Sequence, residues 1–284
     1  MEETAYKLWR AMALNGLSRH GREALGMYSD AADLYNERLA AGMLLSDKDA
    51  EKFEKSSLDT VKRIAEKCQQ SGTEIIFRGE SAYPDRLLDL ESPPEQLFVK
   101  GSLEPYERSC SVIGARNAES CAIETTYRLS YELARCGITI ISGLARGIDL
   151  AAHRAAMEAS GRTIAVLACG ILFDYPKDHS RVKEAIAEHG ALVSEYAPLE
   201  APLHEHFLHR NRIIAALGKC VFCAQAAVHS GSMSTMRHAA AISRPLFVTP
   251  PRDALSEEYS GIVSALQSGA HQVNTVGDII GECF

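Results

Sequence analysis

The chain has 284 residues, of which 46% are hydrophobic and 24% charged. That composition excludes a disordered or low-complexity protein and suits one large domain or two unequal ones. The formal net charge is −7, unevenly spread: residues 1–108 carry 15 basic against 20 acidic side chains, and residues 109–284 carry 15 against 17. Twelve of the later fifteen bases are Arg, whose planar fork suits phosphate, so a local cationic patch is compatible with an acidic whole.

Residues 1–70 read as helical. Tyr6, Trp9, Ala13 and Leu17 recur at helical spacing, Gly16, Gly21 and Gly26 punctuate short helices, and 51–68 is a charged, capped helix. This predicts a small bundle of about four helices. A change comes near Ser71-Gly72, where strands follow at 74–77 and 96–101 with turn signals at Tyr83-Pro84 and Ser92-Pro93-Pro94. From Cys110 onward strands alternate with helices. Strands are expected at 111–114, 138–142, 163–168, 191–194, 220–224 and 246–249. Helices are expected at 120–136, 149–160, 180–189, 206–218, 232–243 and 260–268. That alternation implies βαβ units and a parallel sheet covered on both faces. The expected fold is α/β, a Rossmann-like, doubly wound, mainly parallel sheet over residues 71–284, preceded by the all-helical domain of residues 1–70.

The apolar runs, such as 138–141 and 163–168, are far shorter than the ~20 residues of a spanning helix. The opening Met1-Glu2-Glu3 lacks a signal peptide's basic and apolar regions, so a cytoplasmic address with no membrane partner is expected. The eight cysteines are then expected to be reduced, and Cys220-Val221-Phe222-Cys223 reads as strand core rather than a metal or redox site.

In such sheets ligands bind beyond the carboxyl ends of the strands. The loops there are Gly114-Ala115-Arg116-Asn117, Ser142-Gly143-Leu144-Ala145-Arg146-Gly147-Ile148-Asp149, and His229-Ser230-Gly231-Ser232. Each leads into a helix amino terminus, where free N–H groups attract anions. His209-Arg210-Asn211-Arg212 opens another helix at the same edge. Several phosphate-binding loops in a row suit a polyanion better than one deep pocket does.

Other classes lack their signatures. There is no GxGxxG with a following acid, no Walker-type GxxxxGK[ST], no GxSxG elbow and no HExxH among the ten histidines, so no cofactor or metal is expected. His204, His206 and His209 read as polar loop residues. Asp149 and His153, one helical turn apart, read as structural rather than as an acid/base pair.

The run Tyr83-Pro84, Leu87-Leu88, Pro93-Pro94, Leu97-Phe98, Gly101 resembles the lead-in of the DprA/Smf family of DNA-processing proteins. So do Ser111–Arg116, Ser142–Asp149 with Ala152-His153, Gly161–Leu167, Tyr175-Pro176, Ser194-Glu195, Arg210–Ile214, Ser230-Gly231-Ser232 with Thr235, and Gly269-Ala270. The match covers roughly residues 75–275 in order; the helical domain is similar only in type. The resemblance implies an extended Rossmann-like fold, binding of single-stranded DNA without strong sequence preference, homodimerisation, and delivery of that DNA to RecA in natural transformation, without catalysis. It implies that Arg116, Arg146, Arg210 and Arg212 contact phosphates. Ser142, Gly143, Gly147, Asn211, Ser230, Gly231 and Ser232 would offer further donors, and Tyr175 a stacking ring. Gln225, Pro251 and Val263 depart from the family pattern, which usually has an acid, a Gly and an Asn there. The end at Phe284 is expected to leave no room for the winged-helix domain of some relatives. The alternative is a small-nucleotide protein resembling the phosphoribohydrolases, but the 230–238 segment lacks their catalytic Glu. An interaction scaffold recruiting partners through the acidic helical domain is compatible with the first reading.

Overall fold

The computed structural model describes residues 2–54, 57–104 and 108–284, which divide into two compact units. The first comprises residues 1–83 and 92–98. It contains helices α1 (Glu2–Asn15), α2 (Arg19–Ala24), α3 (Ala31–Asn36), α4 (Arg38–Gly42), α5 (Asp47–Glu54) and α6 (Leu58–Ser71), then strand β1 (Glu74–Phe77) and the first half of β2 (Gln96–Gly101). Six helices thus stand, among the described residues, where the spacing predicts about four. Local capping breaks the segment further: Ser18 caps α2 and Asp30 caps α3, and each cap satisfies otherwise free amides. The core forms around Trp9, edge-on to Tyr35 at 5.0 Å and to Phe53 at 5.5 Å. The unit runs past residue 70 because later chain closes on it. Asn15 bonds the backbone of Glu95 and the side chain of Gln96, and the Arg78 amide donates to the Glu95 carbonyl.

The second unit comprises residues 84–91 and 99–284. After the second half of β2 come β3 (Ser109–Ile113), α7 (Ser120–Arg135), β4 (Thr139–Ser142), α8 (Ile148–Glu158), β5 (Thr163–Leu167), α9 (Ser180–His189) and β6 (Gly190–Ser194). Then follow α10 (His204–Leu217), β7 (Cys220–Cys223), α11 (Gly231–Ala241), β8 (Leu246–Val248), α12 (Ser260–Gln267), β9 (His271–Gln272) and α13 (Val276–Cys283). The strands of this unit lie in the order β6-β5-β4-β3-β7-β8-β9, every pairing between them parallel. Strands β3 to β7 are buried along their whole lengths because helices cover both faces. The alternation read from the sequence is present with boundaries shifted by a residue or two. Strand β9 and helix α13 are additions; the Thr275/Asp278 capping box of α13 is legible as a helix start. The chain winds outward from β3 to β6 and returns to place β7 on the other side of β3. The winding therefore reverses between β3 and β7, where such sheets open a crevice at their carboxyl edge.

No helix among the described residues is long and apolar enough to cross a membrane. Cys220 and Cys223 are fully buried free thiols in β7, as their strand position predicts. Among the described residues no cluster of His, Cys, Asp and Glu has metal-binding geometry.

Candidate nucleic-acid interface

The β4–α8 loop is built around a buried carboxylate, Asp149. Asp149 at the start of α8 accepts the amides of Gly143 at 3.1 Å and Ala145 at 3.3 Å. Burial pushes its carboxyl above the ordinary range, while nearby Arg210 and these amides pull it back. Two of the loop amides that suggested a phosphate cradle are therefore occupied by the protein's own carboxylate. Gly143 is needed because the Arg210 guanidinium lies where its Cβ would stand, 2.6 Å from it. Gly147 is needed because its φ is +79° and a Cβ would meet the Ala115 carbonyl oxygen at 2.5 Å. The Ile148 amide donates to the same Ala115 carbonyl at 3.3 Å and ties the β4–α8 loop to the loop carrying Arg116. The Asp149–His153 pair is structural: buried His153 bonds Thr163 through Nδ1 at 2.7 Å. Burial, with Arg210 and His179 adding to it, holds the imidazole down to about 3.

Helix α10 supplies the Arg-Asn-Arg segment, and all three side chains are buried. Arg210 Nη1 donates to the carbonyls of Gly143 at 3.0 Å and of Val166. Asn211 Nδ2 donates to the Gly231 carbonyl at 3.1 Å, which fixes the start of α11. Arg212 Nη2 grips both oxygens of Glu195 at 2.7 and 2.6 Å, and His209 Nε2 stands 3.4 Å from the same carboxylate. Burial alone would raise the Glu195 carboxyl, but His209 and Arg212 outweigh it and hold it low. The expected loop histidines belong to α10, where His206 stacks on Tyr196 at 3.9 Å. Lys183, lowered by burial, donates to the carbonyls of Ile171 and Phe173 and so anchors the loop that presents Tyr175.

Above this scaffold, at the carboxyl edge, lie two adjoining cavities. One, of about 570 Å³, is lined by Gly114–Arg116, Ala145, Asp149, His204, Phe207, Leu208, Arg210, Asn211, His229–Ser232 and Thr235, with Ile113 and Ile214. The other, of about 370 Å³, is lined by Arg116, Gly143–Arg146, Leu167–Cys169, Tyr175–Lys177, His179, Phe207 and Arg210. Arg116, Arg146 and Lys177 are exposed. The amino end of α11 opens into the larger lobe through Gly231 and Ser232, and its Ser230 hydroxyl makes no cap bond and has no partner.

The two lobes thus gather nine of the twelve residues singled out from the sequence, namely Arg116, Gly143, Arg146, Tyr175, Arg210, Asn211, Ser230, Gly231 and Ser232. Ser142, Gly147 and Arg212 do not line them. Ser142 is fully buried and donates to the Val112 carbonyl at 2.6 Å. Gly147 serves loop geometry, and Arg212 serves Glu195. Phe207, Leu208, His204, His229, Lys177 and His179 are additions. Phe207 lies one helical turn before Arg210, a spacing that could have flagged it. A further cavity of about 650 Å³ in the first unit is lined by five carboxylates against three bases, ill suited to a polyanion.

These features define a Rossmann-like protein with a divided, arginine-lined groove at the switch point of its sheet. Residues 74–284 match the family model described as DNA recombination-mediator protein A, and the chain belongs to that family. It is 33% identical over 223 residues to the DNA processing protein DprA of Bacillus subtilis strain 168, covering 78% of this chain and 74% of the relative. The X-ray structure of DNA processing protein A from Streptococcus pneumoniae superposes with a TM-score of 0.83 at 27% identity, covering 100% of this chain and 99% of that one. DNA processing protein A from Helicobacter pylori, whose structure concerns its single-stranded DNA binding mode, gives 0.66 at 32% identity over 74% of this chain and 94% of that one.

Proposed function

We propose that this chain binds single-stranded DNA without strong sequence preference, working as a homodimeric, non-catalytic mediator that passes the strand to a RecA-type recombinase during transformation. The H. pylori relative's DNA-binding structure supports the ligand class. The observation that carries the reading is the spread of donors along the carboxyl edge. Exposed Arg146 stands in one lobe, exposed Arg116 borders both, and the uncapped amino end of α11 opens into the other. A row of separated anion sites follows a phosphate backbone, whereas one small anion needs them converged. The lining of the two lobes contains one carboxylate, Asp149, already engaged by Arg210 and two amides; this favours binding over acid/base chemistry.

Fluorescence anisotropy with labelled poly-dT over a salt series tests the proposal. Log affinity should fall linearly with log salt, by about 0.7 per phosphate contacted. Arg146→Ala should weaken poly-dT and mixed-sequence strands alike and flatten the slope by about 0.7. Absence of binding at low salt, or an Arg146→Ala variant that binds as wild type does, would sink it. Hand-over is read separately, as a shorter lag for RecA filament growth on protein-coated single strands.

A further inference from the structure

The cavity of about 650 Å³ in the first unit is larger than either lobe of the groove, and the DNA reading makes no use of it. One face of α1 forms its long wall, where Glu3, Tyr6, Lys7, Arg10 and Leu14 recur at helical spacing. From Glu3 to Leu14 that wall runs about 16 Å, the span of about five residues of extended chain. Buried Ala11, Leu14, Ala31 and Phe77 give the cavity an apolar floor. Its rim is ionic. Lys7 is bracketed by Glu3 at 3.1 Å and Glu80 at 3.6 Å, and Arg78 holds Glu95 at 3.1 Å. These pairs leave Glu2 and Asp30, and Asp30 caps α3 through Oδ1. With five carboxylates against three bases, the lining carries two unmatched negative charges. Arg10 donates to the Ser29 carbonyl through Nη1 at 3.1 Å while its Nε has no partner, so the guanidinium keeps donor capacity for an acceptor.

We propose that this cavity holds a short extended segment of a partner protein that carries a Lys or Arg beside an aliphatic side chain. The aliphatic group covers the floor at Leu14 and Phe77, the cation meets Glu2 and Asp30, and a backbone carbonyl of the segment accepts from Arg10. The volume is that of a site for a ligand of a few residues. The net charge of the lining repels an anion, nucleic acid included. A polyamine would meet the carboxylates, but it brings no acceptor for Arg10 and little apolar surface for the floor. The inference does not depend on the single-strand reading.

The test uses the full chain and a variant with the cavity filled. Ala32 lines the cavity and is half-buried, so Ala32→Trp places an indole in it. A random heptapeptide library displayed on phage is depleted on Ala32→Trp and then selected on wild type, which removes peptides held elsewhere, the groove included. The selected sequences should pair Lys or Arg with Leu, Ile, Val or Met, and a synthetic peptide of that consensus should bind one to one in calorimetry. Glu2→Lys reverses one rim charge and should weaken the peptide about 2- to 30-fold, twice the worth of one exposed ion pair on a logarithmic scale. Melting points check the fold of both variants, and Glu2→Lys takes over the depletion step if Ala32→Trp does not fold. No enrichment, a consensus without a cation, or a consensus peptide that binds Glu2→Lys as it binds wild type would overturn the inference. So would displacement of the peptide by an equal concentration of spermine, which would make the cavity a polyamine site.

Discussion

Arg210→Ala would test whether the groove hangs on one buried guanidinium. The side chain is 5% exposed, bonds the carbonyls of Gly143 and Val166, and is the main countercharge for Asp149. Without the guanidinium the buried Asp149 carboxylate loses its nearby countercharge, and leaving a buried charge uncompensated costs up to roughly 3–5 kcal/mol. Each abandoned carbonyl costs about 1–3 kcal/mol, less where water from the groove can reach it. A loss of about 4 kcal/mol is expected. Asp149→Asn keeps the shape, frees Arg210 to its two carbonyls and should lose about 1–2 kcal/mol. The double variant should fall short of the sum by about 0.5–3 kcal/mol, because it leaves no unpaired charge. Urea unfolding should be followed by far-UV circular dichroism, which weights the larger unit. The one tryptophan, Trp9, lies in the first unit and serves as an internal control. A shift below about 1 kcal/mol for Arg210→Ala, or strict additivity in the cycle, would refute the scaffold role.

Other substitutions probe the same architecture. Gly147→Ala, at φ +79° and with its new Cβ 2.5 Å from the Ala115 oxygen, should lose more than about 2 kcal/mol and displace the Arg116 loop, read as a lower melting point together with weaker DNA binding. Arg212→Ala strips the main partner from buried Glu195; about 3 kcal/mol of stability should go, and any DNA-binding defect should track the melting point across temperature. His153 gives a pH dependence. Its folded value of about 3 lies below the unfolded 6.5, so stability is whole above about pH 6.5 and drains as pH falls toward 3, at about 1.4 kcal/mol per unit. His153→Gln should flatten that slope; equal slopes would clear His153 as the cause.

The alternating α/β unit was legible because its strands are buried on both faces and read as short apolar runs between turn signals. The first unit was less so: its helices are set by caps such as Ser18 and Asp30, and its outer limit by Asn15 reaching Glu95 and Gln96. Such long-range closure leaves no local pattern. In the groove, Arg116 and Arg146 were readable as loop arginines on the ligand edge. The Arg-Asn-Arg segment was read as opening a helix at the ligand edge, and it lies in the second turn of α10. Residues two apart on a helix point roughly 200° apart. Arg210 and Arg212 therefore serve different neighbours, Gly143 with Val166 on one side and Glu195 on the other. Helical phase alone argues against both facing one strand of DNA. The Glu195 partner lies 17 residues away and required the fold.

This division of the arginines bears on how tightly one chain can hold DNA. Arg210 and Arg212 are spent on internal carbonyls and a carboxylate, so the exposed cations of the lobes are Arg116, Arg146 and Lys177. Three contacts at about 0.7 each give a salt slope near −2 for a single groove, so the electrostatic share is modest and base contacts must supply much of the rest. A strand engaging two copies of the chain would meet six such cations and show a slope near −4. Measuring the slope with a short oligonucleotide and with one long enough to span two grooves separates these cases. Doubling of the slope with length supports the homodimer as the binding unit. A slope near −2 at both lengths would mean that each groove acts alone.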